Sequence, residues 1–172
     1  MVLPRQHNLQ VQHDPQLRLM RFQWVGGPDS QAVRADLVYG RDLVVAQQPT
    51  HALVDLAGLP PLEMQDELWM TVHWFPKIAA SQLKYVALVL RPGQLHNQMA
   101  IEAMLWLGRK LMRFQMQVFE GVPGALDWLT QGEAGAMHRL QTEWDEQLAR
   151  PDQPAAGVYN PQPGPGRTFW SQ

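Results

Sequence analysis

The chain has 172 residues, of which 45% are apolar and 17% charged, and it contains no cysteine. This composition predicts one globular domain with a sizeable core, and the missing cysteine excludes disulfides, thiolate catalysis and Cys-ligated zinc. A formal net charge of -2 offers no basic stripe to a nucleic acid, and no apolar run is long enough to predict a membrane span. The amino-terminal residues lack the apolar segment of a signal peptide, so we expect a cytoplasmic protein.

The first third of the sequence predicts a β-hairpin followed by a helix. Residues 9–13 and 17–25 are strand-like and are separated by an Asp-Pro turn signal. The second strand alternates apolar residues with Arg21 and Gln23, which predicts one buried face and one face in water. After a Gly-Gly-Pro break, a helix follows and runs to about Gln47.

Two short, continuous apolar runs predict the centre of a parallel sheet. Residues 52–56 and 85–90 show no alternation, as expected for adjacent strands that are covered on both faces. Between them, residues 62–81 have a helical pattern, in which Pro76 predicts a kink or an end near Phe75 because it has no backbone N–H. The alternation of strand and helix predicts an α/β fold with right-handed crossovers.

The rest of the sequence predicts three more elements and a tail. Residues 94–112 are helical in pattern, and residues 113–119 alternate, which predicts a strand near the edge of the sheet. A short helix begins at Pro123, and a polar helix with a narrow apolar stripe covers residues 133–149. The segment 151–172 is rich in Pro, Gly and Gln and has no periodic apolar face, so we interpret it as a tail.

We therefore divide the chain into an α/β domain (1–131), an amphipathic helix (132–150) and a Pro/Gly-rich tail (151–172). The stripe on that helix either covers the domain or contacts another chain. We favour a homodimer, because closed two-fold pairs are the commonest oligomers. The stripe consists of Met137, Leu140, Trp144 and Leu148.

Four segments carry a family resemblance: "HALVDLAGL", the helix that contains "WFPKIA", "KYVALVLRP" and "QVFEGVPGALDWL". Together with the element order, they resemble the SpoIIAA-like group of the STAS/SEC14-type domains over roughly residues 8–131. The resemblance implies a mostly parallel sheet opened by a β-hairpin, with helices packed on it. It also implies a regulatory or binding domain or, in a related branch, a lipid carrier.

One departure from the family bears on function. Antagonist-type STAS proteins carry a phosphorylatable Ser or Thr in the corner after the central strand, but residues 57–68 of this chain contain neither. We therefore expect no phosphoswitch of that type. In the same corner, Asp55 either holds a ligand hydroxyl or caps the local turn. We assign to Gly58 a backbone angle that other residues avoid.

A cluster at helical spacing supplies the other candidate ligand-binding residues: Trp69, His73, Trp74 and Lys77. Two aromatic rings, a titratable ring and a cation suit the wall of a pocket for a small molecule or an acyl chain. The alternative is a helix face that packs on the sheet with its polar tips in water.

Motifs for established chemistry are missing. The sequence has no HExxH, GxSxG, GxGxxG or P-loop pattern, so we predict no metal and no cofactor. Three classes remain: a domain that binds a protein partner or a small hydrophobic ligand, a lipid or acyl carrier, and an enzyme that uses His73 with a nearby carboxylate. A sealed core would favour a domain that binds a protein partner. A cavity of a few hundred Å³ would favour the carrier. A cleft in which His73 lies beside a carboxylate would favour the enzyme.

Overall fold

The computed structural model describes most of the chain. The predicted helix 94–112 lies largely outside the described residues, although three of its residues are described as helical, and the tail 151–172 lies wholly outside them. The described residues are 1–25, 32–60, 62–90, 99, 102, 106 and 113–149.

One five-stranded sheet forms the centre of this described part. Its strands are β1 (Leu9–Asp14), β2 (Leu19–Trp24), β3 (His51–Asp55), β4 (Tyr85–Val89) and β5 (Gln115–Phe119). They lie side by side in chain order, with β1 antiparallel to β2 and every later pair parallel. The predicted α/β fold, with a mostly parallel sheet opened by a hairpin, is confirmed, as is the parallel pairing of the two apolar runs. β5 is an edge strand, as its alternation predicted.

Helices cover both faces of this sheet. They are α1 (Val33–Gln47), α2 (Met64–Trp69), a π-helical turn (Met70–Trp74), α3 (Phe75–Ala79), α4 (Val122–Thr130) and α5 (Ala136–Leu148). The first layer, made of α1, the π-helical turn and α3, packs on one face of the sheet. The second layer, made of α4 and α5, packs on the opposite face. The sheet therefore separates two apolar cores.

The hairpin turn is closed by a side chain. Oδ1 of Asp14 accepts hydrogen bonds from the backbone N–H groups of Gln16 at 2.9 Å and Leu17 at 3.0 Å. Arg18 then has a φ of +49°, in the left-handed region. This is the local chemistry that makes Asp-Pro a turn signal.

The helix between β3 and β4 passes through Pro76 instead of ending before it. An N–H at position 76 of an α-helix would donate to the Val72 carbonyl, and proline has none. The π-helical turn lies at that point, and the N–H of Phe75 donates to the Met70 carbonyl five residues back. Pro76 then occupies the first turn of α3, where a missing N–H costs little.

The expected solvent face of β2 is buried, so that prediction was wrong. Arg21 is only 2% exposed, and its guanidinium lies against the Trp144 ring. Its Nη2 donates to Gln23 at 3.0 Å and its Nη1 to Gln141 at 3.3 Å. The alternation in β2 records a polar face correctly, but α5 folds over that face.

The stripe of α5 covers its own chain. Leu140 and Trp144 are buried against the sheet, and Gln12 Nε2 donates to the Leu140 carbonyl at 3.0 Å. Met137 and Leu148, at the two ends of the stripe, are partly exposed. Burial within the chain therefore accounts for the feature from which we expected a homodimer.

Candidate ligand-binding site

A cavity of about 110 Å³ lies between the sheet and the first layer of helices. Its walls combine side chains from along the strands of the sheet with α1, the π-helical turn and α3. Among the described residues that line it, Asp36 is the only one with a charged side chain. Representative wall residues are Phe22, Ala52 and Val86 from the sheet and Leu37, Val44 and Trp74 from the helices.

Small side chains leave room on both sides of this cavity. Ala52 projects from β3, and Gly40 faces it from α1. A Cβ atom built on Gly40 would lie 3.5 Å from Leu9 and 3.6 Å from Phe22, which is ordinary van der Waals contact. Position 40 therefore has space for a methyl group that the sequence does not supply.

The π-helical turn directs Trp74 toward this space. The indole N–H donates to the Leu37 carbonyl of α1 at 2.6 Å, which ties the turn to that helix. With its polar atom paired, Trp74 contributes an apolar ring to the cavity wall. Since π-helical turns occur frequently at functional sites, the local geometry agrees with a binding role.

The other members of the predicted aromatic cluster do not line the cavity. Trp69 packs beside the first-layer core, with the Arg34 guanidinium 5.7 Å from its ring centre. His73 and Lys77 are exposed on the outer side of the same helical stretch. The structure thus brings one of these four candidates, Trp74, to the cavity.

Asp55 lies on the far side of the sheet from the cavity. It is fully buried on the second-layer face, and its Oδ1 accepts the Ala57 N–H at 2.9 Å. This is the bond that a turn cap makes. Burial lowers the pKa of Arg21 to about 10, while the charges of Asp55 and Asp145 oppose the shift. Asp55 therefore caps the corner and balances the charge of a buried guanidinium.

The corner after β3 still contributes to the cavity through its apolar residues. Leu56 and Leu59 line the space, while Gly58 packs against the end of β2. A Cβ on Gly58 would lie 2.0 Å from the Trp24 carbonyl oxygen. Gly58 is not among the residues of positive φ. The prediction that an unusual backbone angle requires glycine at position 58 was therefore wrong. Glycine is required there because the Trp24 carbonyl lies too close to leave room for a Cβ atom.

Sequence reasoning missed a buried carboxylate beside the cavity, that of Asp36, which lies next to Trp24 and His7. Asp36 is fully buried, and its Oδ1 lies 3.3 Å from Nδ1 of His7. Burial raises the pKa of Asp36 to about 6, against the opposing effects of His7, the Asn8 N–H and the Trp24 indole. One available signal was its position inside the apolar stripe of α1, three residues after Val33.

Metal ligation and membrane spanning find no support in the part of the chain that the structure describes. There, no three His, Asp or Glu side chains converge as a metal site would require. No helix within the same ranges has the length and apolar character needed to cross a bilayer. Comparisons with protein-family models, curated proteins and solved structures gave no match. The candidate site therefore stands on its own geometry.

Proposed function

We propose that this chain is a non-catalytic binding domain whose ligand is a compact apolar molecule held in the cavity. The observation that carries the proposal is a space of about 110 Å³ with almost wholly apolar walls. A cavity of about 150 Å³ lined by Leu, Ile and Phe stays dry and admits benzene or xenon. A ligand of about one small ring fits this scale, and it would gain dispersion contacts that the empty walls lack.

The two other function classes fit the geometry less well. A carrier of long acyl chains needs a pocket of roughly 300 Å³ or more, which exceeds the observed volume. An enzyme that uses His73 needs a carboxylate beside that ring. His73 is exposed instead, and among the described residues it makes no ion pair or hydrogen bond with a carboxylate.

We further propose that the domain is of the SpoIIAA-like type. The hairpin opening, the parallel order of the later strands and the packing of α4 support this assignment. Ala125 and Leu129 of α4 are buried on the sheet, and Trp128 packs beside them, as the resemblance implies. The corner without Ser or Thr favours binding over phosphorylation. The homodimer, a protein partner and the cytoplasmic location stay predictions.

Two neighbouring valines of α1 provide a matched test of the cavity. Val44 lines it, whereas Val45 is 48% exposed and does not line it. A Val44→Phe substitution should fill much of the space, and Val45→Phe makes the same chemical change outside it. The probe is benzene, and the measurements are NMR titration and the rise in Tm that a ligand of the folded state produces.

We expect wild-type protein and Val45→Phe to bind benzene with similar affinity, and Val44→Phe to bind it at least about tenfold more weakly. If Val44→Phe does not fold by circular dichroism, Val44→Leu with Val45→Leu as its control replaces the pair. Failure of the wild type to bind benzene would overturn the proposal. Undiminished binding by a folded Val44 variant would do the same.

A further inference from the structure

The two outer edges of the sheet differ in how the chain covers them. At the β1 edge, the amino-terminal residues run beside the strand and hydrogen-bond to it. The Leu3 N–H donates to the Val11 carbonyl and the His13 N–H donates to the Met1 carbonyl, both at 2.8 Å. The chain itself therefore covers the outer edge of β1.

The outer edge of β5 has no such cover among the described residues. On its inner side, the Gln115 N–H donates to the Lys84 carbonyl at 2.7 Å, and the Phe119 carbonyl closes the same ladder at 3.0 Å. Successive residues of a strand direct their backbone groups to opposite sides, so the odd-numbered residues of β5 bond to β4. The N–H and C=O groups of Met116 and Val118 point away from β4, and no described residue hydrogen-bonds to them.

The side chains of β5 do not protect this open edge. Natural proteins commonly protect an edge strand with a charged side chain, a proline or a bulge. The strand reads QMQVF, without a charge or a proline, and it pairs with β4 in an unbroken register. Val118 is apolar and still 56% exposed. An uncharged strand with open backbone groups is a template for pairing with another strand.

A second copy of this chain offers a strand that complements the edge. A two-fold axis, the commonest symmetry of oligomers, sets the two β5 strands antiparallel. With the axis at Gln117, Met116 of each copy lies opposite Val118 of the other, and each such pair exchanges both of its N–H···O=C bonds. The outward backbone groups of the strand are then satisfied, and each exposed valine packs beside a methionine on the same face of the sheet.

We propose that β5 pairs antiparallel with β5 of a second copy and joins the two sheets into one continuous sheet. This interface does not depend on the ligand proposed for the cavity. Its size limits its strength, because a standard interface buries about 800 Å² and about 20–30 residues on each side, whereas β5 has 5 residues. We therefore expect a weak dimer with a Kd between about 1 µM and 1 mM.

Because the chain has no cysteine, single cysteines introduced into β5 can test the register. In the proposed pairing, Gln117 faces Gln117 of the second copy at a non-hydrogen-bonded position, where the Cα atoms lie about 4.5 Å apart. A disulfide spans about 4.4–6.8 Å between Cα atoms, so Gln117→Cys should cross-link two copies in a glutathione redox buffer.

Gln115→Cys is the matched control for this cross-link. Gln115 and Gln117 are both exposed on the same face of β5. In the proposed register, however, the two copies of residue 115 are offset by roughly 13 Å along the strands, too far for a disulfide. We expect Gln117→Cys to cross-link at least about tenfold faster than Gln115→Cys. Non-reducing gel electrophoresis measures both rates.

Substitutions at Val118 test whether this edge forms the dimer. Val118→Pro removes an N–H that points away from β4, so it blocks a partner strand and leaves the ladder to β4 intact. Val118→Lys places a charge at the edge, as natural edge strands do. Val45→Lys makes the same change at an exposed valine of α1 and is the control. By analytical ultracentrifugation, we expect both Val118 variants to raise the Kd at least about tenfold and the control to leave it unchanged.

Three results would overturn the proposal. The first is a wild type that stays monomeric up to about 1 mM. The second is a dimer whose Kd does not change in folded Val118→Lys protein, since another surface would then form it. The third is a Gln115→Cys cross-linking rate equal to or above that of Gln117→Cys. If Val118→Pro does not fold by circular dichroism, Val118→Lys alone decides the second point.

Discussion

The guanidinium carbon of Arg21 lies 3.9 Å from the centre of the Trp144 ring, and this contact joins β2 to α5. A cation above an indole face is attracted by the ring quadrupole, and more strongly when both groups are removed from water. Both are almost fully buried here. The α5 helix is therefore held to the sheet by its apolar stripe and by the contact of Trp144 with the buried charge of Arg21.

Removal of that cover should destabilise the whole domain. We expect Trp144→Ala to lower the free energy of unfolding by about 3–5 kcal/mol, because it leaves a cavity and an uncovered guanidinium. Trp144→Phe should lose less, since it keeps an aromatic ring over Arg21. Met137→Ala, at a partly exposed position of the same helix, is the control and should change stability by less than about 1 kcal/mol. Urea unfolding measures all three.

A small effect of Trp144→Ala on stability would contradict this account of α5. A loss below about 1 kcal/mol would show that α5 docks weakly. The α/β part before residue 132 would then fold independently of it.

Two glycines should respond in opposite directions to the same substitution. Gly58→Ala places a Cβ 2.0 Å from the Trp24 carbonyl oxygen, and backbone must move to relieve the clash. We expect a loss of about 1–3 kcal/mol or more. Gly40→Ala adds a methyl group with ordinary contacts in the interior of α1 and should stabilise by about 0.5–1 kcal/mol. Thermal unfolding of both variants measures the difference, and equal signs would contradict this account of the two positions.

The stability of the protein should depend on the protonation of Asp36. Burial raises the folded-state pKa of this carboxyl to about 6, above its ordinary value of 3.8. Folding therefore favours the protonated form, so the stabilising contribution is complete below about pH 4 and is lost as pH rises through 6. Relative to Asp36→Asn, the wild type should lose on the order of 3 kcal/mol between pH 4 and pH 7.

The Asn variant isolates this effect from other carboxyls. Burial would raise the pKa of Asp14 and Glu143, but their hydrogen bonds outweigh it and lower both values. Their contribution has the opposite sign and is present in both proteins, so it cancels in the comparison. His7 faces Asp36 directly, and His7→Gln measured alongside separates its share. Parallel pH profiles of wild type and Asp36→Asn would contradict the raised pKa.

Part of the candidate site could be anticipated from the sequence. Trp74 was named from its helical spacing, and it does reach the cavity, because a helix presents neighbouring turns to one side. The same spacing could not place His73 and Lys77. A π-helical turn changes the direction in which the side chains within and after it project. No local sequence pattern predicts that turn. Asp36 was overlooked because an acidic residue in the first turn of a helix ordinarily lies in water near the positive end of the dipole.

The sequence by itself determined the strands, their parallel order and the hairpin, because apolar periodicity and turn chemistry act within a few residues of the chain. It also determined which faces are polar, as the alternation around Arg21 shows. Only the tertiary structure decided which of those faces would be covered. Arg21 is buried because Trp144, which lies 123 positions later in the chain, packs over its guanidinium. Likewise, only the tertiary structure brings Asp36 of α1 and Ala52 of β3 together around one cavity.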